Sequence, residues 1–186
     1  MMKNRVLGIA ITLSFVLLAG CATPARIEQM STTSSAQHRT TNTPLRNNLA
    51  IKDITGGTET NPMWVSKVSS SDFEKALEAS LKSAGLLADR QAGDFVLTAD
   101  LMKLEQPFIG IDMTVTSSVR YMVVERATGK TVFDSTLTTP YTAKFSDALI
   151  GMERLKLANE GAIRTNIGEL LSQLVQLKIE GVALTK

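Results

Sequence analysis

The chain has 186 residues, with 20 Lys and Arg against 18 Asp and Glu, one His and one Cys. A single histidine and a single cysteine cannot assemble a Cys/His metal site. The near balance of charge leaves no broad basic footprint for nucleic acid.

The first 20 residues read as an export signal. Met1 to Arg5 carries Lys3 and Arg5 and no acid, and Val6 to Leu18 is apolar except for Gly8, Thr12 and Ser14. That 13-residue run falls short of the roughly 20 residues a spanning helix needs. A charged start, a short apolar core and small residues at the end describe a cleaved leader. The run ends in Leu18-Ala19-Gly20-Cys21, which resembles the lipobox of bacterial lipoproteins. The resemblance implies that the Cys21 thiol takes a diacylglycerol and that the leader is cut just before it. It further implies that the new amino group takes a fatty acyl chain such as palmitate. One acyl chain holds a protein only marginally, whereas two or three anchor it for good. By resemblance to enterobacterial lipoproteins, Ala22 in place of Asp implies the outer membrane on its periplasmic side, with the inner membrane as the alternative. Cleavage removes two bases and no acid, so 18 of each remain. An oxidising compartment suits a chain with no second cysteine.

Residues 21–48 follow as the lipidated cysteine and its tether. The stretch contains MSTTSSAQHRTTNTP and few large apolar side chains, so it has little to bury against its ordering entropy. A flexible linker of this length spans roughly 30 Å on average and roughly 90 Å fully stretched. His38 lies in it without partners, which makes it a poor ligand or base.

Residues 49–179 form one domain, long enough to bury a real core, with 180–186 as a tail. Leu49 to Ile54 reads as a short strand stopped by Gly56-Gly57. Ser71-Asp72-Phe73-Glu74 is a capping-box pattern, and Phe73, Ala76, Leu77, Leu81 and Ala84 share one helical face. Gly85 is placed to end that helix. Trp64 reads as core, core edge or an exposed anchor for a partner. Phe95, Leu97, Ala99 and Leu101 alternate with Val96, Thr98, Asp100 and Met102. After the turn marked by Pro107 and Gly110, Ile111, Met113, Val115, Val119, Tyr121 and Val123 share one strand face. Met122 and Val124 make the second face apolar at that strand's end, which calls for a loop, the tether or a partner as cover. Ala127-Thr128-Gly129-Lys130 turns the chain. Thr131 to Ala143 returns as a threonine-rich strand whose Pro140 suits a sheet edge.

The last element is a long helix capped by Ser146 or Asp147. Leu155, Ala162, Ile163, Ile167, Leu170, Leu171 and Leu174 form its apolar stripe. Glu160 and Arg164 pair on the wet side. Gly161 and Gly168 allow either close packing on the sheet or a kink. Asn159 and Asn166, seven residues apart, read as contacts to solvent, a loop or a partner.

The order βαβββα predicts an α+β fold: a two-layer sandwich of about four antiparallel strands with two helices on one face. Behind a lipobox and a tether, this order resembles small envelope lipoproteins. They include the YajG-like type, most similar in FEKALEASLKSAGLL and DALIGMERLKLANEGAIRTNI, the lipopolysaccharide-assembly lipoprotein LptE and the amino-terminal domain of TolB. The resemblance is one of architecture and carries no catalytic residue across.

Enzyme motifs are wanting. Thr128-Gly129-Lys130-Thr131 imitates the end of a phosphate loop, but the required first glycine is Val124. There is no G-x-S-x-G, S-x-x-K or H-E-x-x-H. Asp100 and Asp112 could face each other across a hairpin as a carboxylate pair, but such residues more often make a solvated sheet face. The expectation is a non-catalytic protein with no cofactor, anchored to the membrane by its N-terminal lipid. It acts as an interaction or assembly module for an envelope protein, through Met122, Val124, Pro140 and Tyr141 or by edge-strand pairing with a second copy. The alternative is a ligand- or lipid-binding accessory of an envelope transporter, with a pocket lined by Met113, Phe95 and Leu97. A filled seam between sheet and helices favours the first, and an open apolar cavity favours the second.

Overall fold

A computed structural model describes residues 23–33, 43–61, 66–89 and 92–179. Leu18, Ala19, Gly20, Cys21, His38 and Trp64 lie outside them. The elements in chain order are α1 (Ile27–Met30), β1 (Leu49–Gly56), α2 (Ser70–Ala84), β2 (Phe95–Glu105), β3 (Met113–Glu125), β4 (Thr131–Ala143) and α3 (Gly151–Gln176). The strands form one sheet in the order β1-β2-β3-β4, and the helices pack on one of its faces, as an α+β sandwich requires.

One pairing differs from expectation. β2, β3 and β4 are antiparallel neighbours, but β1 pairs with β2 in parallel, Leu49 opposite Phe95 and Ile51 opposite Leu97. The sheet is therefore mixed. The cause is the connection: the chain between β1 and β2 passes through α2, and a helical crossover returns a strand in the same direction.

Local chemistry sets the elements. The Ser69 hydroxyl caps α2 by accepting from the Asp72 N–H at 3.1 Å, two residues before the expected Ser71. Gly85 ends α2 in the left-handed region, at φ 70°, where glycine escapes the Cβ penalty. Phe73, Ala76, Leu77, Leu81 and Ala84 are all buried. Each of the large ones contributes about 1.5–3 kcal/mol by leaving water. They meet Leu97, Tyr121 and Val123 of the sheet and Ile163, Ile167 and Leu170 of α3.

α3 is covered on more than one side. Gly161 lies so close to the sheet that a Cβ there would sit 2.2 Å from the Tyr141 ring; close packing, not a kink, is its role. Asn166 is fully buried, accepting from the Tyr121 hydroxyl at 2.9 Å and donating to the Leu137 carbonyl at 2.9 Å. Asn159 is also fully buried; it accepts from Gln106 Nε2 at 2.8 Å and donates to the Ser66 carbonyl at 2.9 Å. Asn166 thus ties helix to sheet, and Asn159 ties the helix to loops.

The segment expected as free tether is folded where it is described. α1 and its flanks lie on α3, with Ala25 and Met30 buried. Arg26 wraps the carboxylate of Glu160: its backbone N–H donates to Oε1 at 2.8 Å, its Nε to Oε1 at 2.9 Å and its Nη2 to Oε2 at 2.9 Å. Glu160 is 1 % exposed, so it is not on the wet side, and its partner is Arg26. That carboxylate holds the Arg26 guanidinium above its ordinary pKa through the hydrogen bond they share. Leu45, also assigned to the tether, is buried in the main core.

Candidate functional site

The side chains chosen from sequence do not converge. Met122 and Val124 are half-buried on the open face of the sheet, Met122 beside Asp53, Asp100 and Arg120 in a shallow groove. Pro140 is exposed on β4 and pairs with Thr116, six residues from Met122 and therefore about 20 Å along the strand. Tyr141 faces the other way, packed on Gly161 with its ring 5.6 Å from the Arg164 guanidinium. Val96 stands beside Val124 on this face, and toward β4 the face is polar. Thr114 pairs with Thr142 at 2.8 Å, Ser118 with Thr138 at 3.0 Å, and Arg120 donates two bonds to Asp134, at 3.0 and 2.8 Å. The bidentate bond holds the Asp134 carboxyl below its usual range.

Register also removes the carboxylate dyad. Asp100 stands opposite Arg120 and accepts from the Thr55 hydroxyl at 3.1 Å. Asp112 lies before β3 and accepts the Phe145 N–H at 2.9 Å. Among the described residues no group of three or more His, Cys, Asp or Glu is placed to hold a metal ion. No helix among them is long and apolar enough to cross a membrane.

The surface that stands out lies at one pole of the molecule. Because β2, β3 and β4 alternate in direction, the end of β2, the start of β3 and the end of β4 meet there, and α3 starts beside them. Two loops cross this pole, residues 106–112 and 144–150. Their large apolar side chains face outward: Phe108 is 100 % exposed, Ile109 86 %, Ile111 77 %, Leu149 77 %, Ile150 64 % and Phe145 49 %. Among the described residues, Met102 is the one other large hydrophobe so exposed. Ile111, expected to open the strand, belongs instead to this loop, since β3 starts at Met113.

Polar groups fix the loops from behind. Arg154 of α3 is 5 % exposed. Its Nη1 donates to the Ala148 carbonyl at 2.6 Å and its Nη2 reaches the Gly110 carbonyl at 3.5 Å, so one guanidinium holds both loops. The same group lies 5.2 Å from the Phe145 ring centre. Asp112 binds the Phe145 N–H, and Asp147 accepts the Lys144 N–H at 2.8 Å. The carboxylates near the tips are thus engaged by backbone donors. Between the loops and α3 opens a mostly apolar cavity of about 580 Å³, lined by Pro107, Phe108, Met113, Ile150, Met152 and Leu155. Of the three residues expected to line a pocket, Met113 borders this cavity, while Phe95 and Leu97 are 2 % and 0 % exposed in the filled core.

The N-terminal segment leads to the same pole. Gln29 accepts from Arg164 at 2.7 Å, Arg26 holds Glu160, and the Thr23 hydroxyl accepts from Lys156 at 3.1 Å. Each three residues back along the chain is one turn nearer the start of α3. Thr23 lies level with a residue five positions from Gly151, about 7.5 Å along the helix.

No protein-family model matches the chain, and no curated protein matches it in sequence. Solved structures match the fold. Protein XCC0632 from Xanthomonas campestris, of family model DUF330, aligns with a TM-score of 0.53 and 14% identity over 70% of this chain and 84% of its own. Hypothetical protein CT253 from Chlamydia trachomatis aligns with a TM-score of 0.50 and 11% identity over 69% and 95%. A minor lipoprotein from Acinetobacter baumannii aligns at 0.46, with 12% identity over 71% and 94%. At these identities the likeness is one of fold.

Proposed function

We propose that the chain is a lipid-anchored lipoprotein of the bacterial envelope, held by Cys21 in the outer membrane and facing the periplasm. Its domain works there as a non-catalytic interaction module. The anchor reading rests on Leu18-Ala19-Gly20-Cys21. The observation that carries the module reading is the filled seam: sheet and helices close on each other through Phe73, Leu97, Tyr121 and Ile163, all fully buried. Recognition is then a matter of surfaces. Two are on offer, the apolar pole and the free edge of β4, which among the described residues pairs with β3 alone. A 13-residue edge can accept an added strand from an envelope protein or from a second copy.

The cavity beside Met113 supports a second reading, a lipid- or ligand-binding accessory of an envelope transporter. One experiment separates the two. A tagged chain at native expression, beside Cys21→Ala, is fractionated, crosslinked in cells and purified. The module reading expects outer-membrane fractionation, a stoichiometric protein partner and release of Cys21→Ala by an alkaline carbonate wash, which strips peripheral contacts but not an acyl anchor. A chain that purifies alone with bound lipid or a small molecule supports the accessory. Cys21→Ala that withstands the same wash as the wild type overturns the anchor.

A further inference from the structure

We infer that the apolar pole is a membrane-inserting surface. The tips of loops 106–112 and 144–150 enter the same leaflet that receives the acyl chains of Cys21, and the domain stands on the bilayer in one orientation. The inference rests on the lipid-anchor reading above and adds the surface through which the protein meets the lipid.

Three independent observations point to a bilayer as the occupant. The first is the chain path. Thr23 sits against Lys156 near the start of α3, at the pole end, and Cys21 is two residues upstream, within about 7 Å of chain. The anchor and the apolar tips therefore lie at one end of the molecule. The second is stiffness. Arg26 with Glu160 and Gln29 with Arg164 hold the following segment on α3, so the domain cannot drift a tether's length from the anchor. The third is shape and build. Phe108, Ile109 and Leu149 stand 77–100 % exposed on two adjoining loop tips, and those tips are fixed from below by Arg154, Asp112 and Asp147. Pre-set apolar tips with the Ala148 and Gly110 carbonyls already engaged behind them suit the boundary between headgroups and acyl chains, where unpaired polar groups are costly. Lys144 is exposed beside them, at the level of anionic headgroups.

The test exploits the lone cysteine. In the mature chain, residues 21–186, Cys21→Ser removes both the acylation site and the only thiol. This chain is floated with vesicles of phosphatidylethanolamine containing phosphatidylglycerol as the minor lipid. It is expected to rise with the vesicles. Phe108→Ser combined with Leu149→Ser is expected to weaken partitioning about tenfold or more, because binding scales with the apolar area inserted. Both side chains are exposed, so the melting temperature should not move. A second readout needs no loss of function: Ile109→Cys in the same background, labelled with an environment-sensitive fluorophore, should shift to the blue on vesicles. The same label at Thr136→Cys, on the polar open face, should not.

Failure to float, flotation indifferent to the two serines, or an unshifted label at 109 each overturns the inference. So does self-association without vesicles that the same two serines abolish, since the pole would then be a contact between copies. The anchor reading is scored separately, by the mass of the Cys21 peptide from cells. An unmodified Cys21 overturns the anchor whatever the vesicles do, and an acylated Cys21 with no flotation overturns the inserting pole alone.

Discussion

Arg26→Ala tests whether the N-terminal segment is part of the domain. The substitution removes the Nε and Nη2 bonds to Glu160, both 2.9 Å, and leaves the 2.8 Å bond from the Arg26 backbone. Glu160 is 1 % exposed, while the Arg26 side chain is 46 % exposed. Breaking a buried pair by deleting one partner costs about 3–5 kcal/mol, because it strands a charge. Here the deleted partner is half in water, so solvent can reach part of the vacated space, and the retained N–H still serves one oxygen. The expected loss is therefore nearer about 2–3 kcal/mol. It is read from urea denaturation of the mature chain. Glu160→Gln removes the charge but keeps an acceptor for the backbone N–H, so it should cost less than Arg26→Ala. Adding Arg26→Ala to Glu160→Gln should then change little. Hydrogen exchange gives the local readout: the Met30 and Ser31 amides, bonded to Arg26 and Ile27 carbonyls at 3.1 and 2.9 Å, should lose protection in Arg26→Ala. A loss below about 0.5 kcal/mol, the scale of an exposed ion pair, with unchanged exchange at α1, would refute the docking.

Two glycines of α3 should respond in opposite directions. Gly161→Ala puts a Cβ 2.2 Å from the Tyr141 ring, and the overpacking, about 1–3 kcal/mol, should outweigh the gain of about 1 kcal/mol in helix propensity; Tyr141→Ala in the same chain should restore the gain. At Gly168 nothing lies within 4 Å of the added Cβ, so Gly168→Ala should stabilise by about 0.5–1 kcal/mol in the same denaturation assay. Tyr121 sets an alkaline limit. Burial pushes its phenol well above the ordinary value, so the folded state keeps a proton that the unfolded chain releases. That contribution is complete below the unfolded pKa of about 10 and is lost as pH rises beyond it, at about 1.4 kcal/mol per pH unit. Tyr121→Phe should flatten that slope, at the cost of the bond to Asn166.

The legible parts of this fold are those where local pattern and tertiary surroundings agree. α2 touches the core with one stripe, and its stripe and its Gly85 stop are readable from spacing alone. β4 matches its expected bounds because alternation, the Gly129 turn and the edge-tolerant Pro140 all agree. α3 breaks the rule that polar residues face water: fifteen of its 26 residues are buried, too many for one stripe. Lys156, Asn159, Glu160 and Asn166 are polar because their partners arrive from the N-terminal segment, the 66 and 106 loops and the sheet. Such partners lie far away in sequence, and periodicity does not reveal them. The segment around α1 failed for the converse reason. Its average composition is that of a linker, and Ala25, Ile27 and Met30 are too sparse to register beside the serines and threonines. The pole was visible as residues but not as a site. Phe108, Ile109 and Ile111 sit between Pro107 and Asp112, and Leu149 and Ile150 between Asp147 and Gly151. Large apolar side chains inside turn segments were the available signal, and extending strand alternation back to Ile111 concealed it.

α3 also couples the two ends of the functional proposal. Arg154 holds both pole loops, and Lys156, Glu160 and Arg164 hold the segment that leads back to Cys21. These four side chains span less than three turns of one helix, so the segment from Thr23 and the tips are held to the same short stretch of α3. A domain inserted at the pole would therefore present its sheet in a fixed attitude, with the strands running away from the bilayer. The free edge of β4 would begin near the headgroups at Ala143 and end at Thr131, about 40 Å farther out. A partner that pairs with this edge would approach from the side, through the aqueous space, without competing with the lipid for the pole. Loss of partner binding by a β4 edge substitution with vesicle binding intact, and the reverse for Phe108 and Leu149, is the pattern this geometry requires.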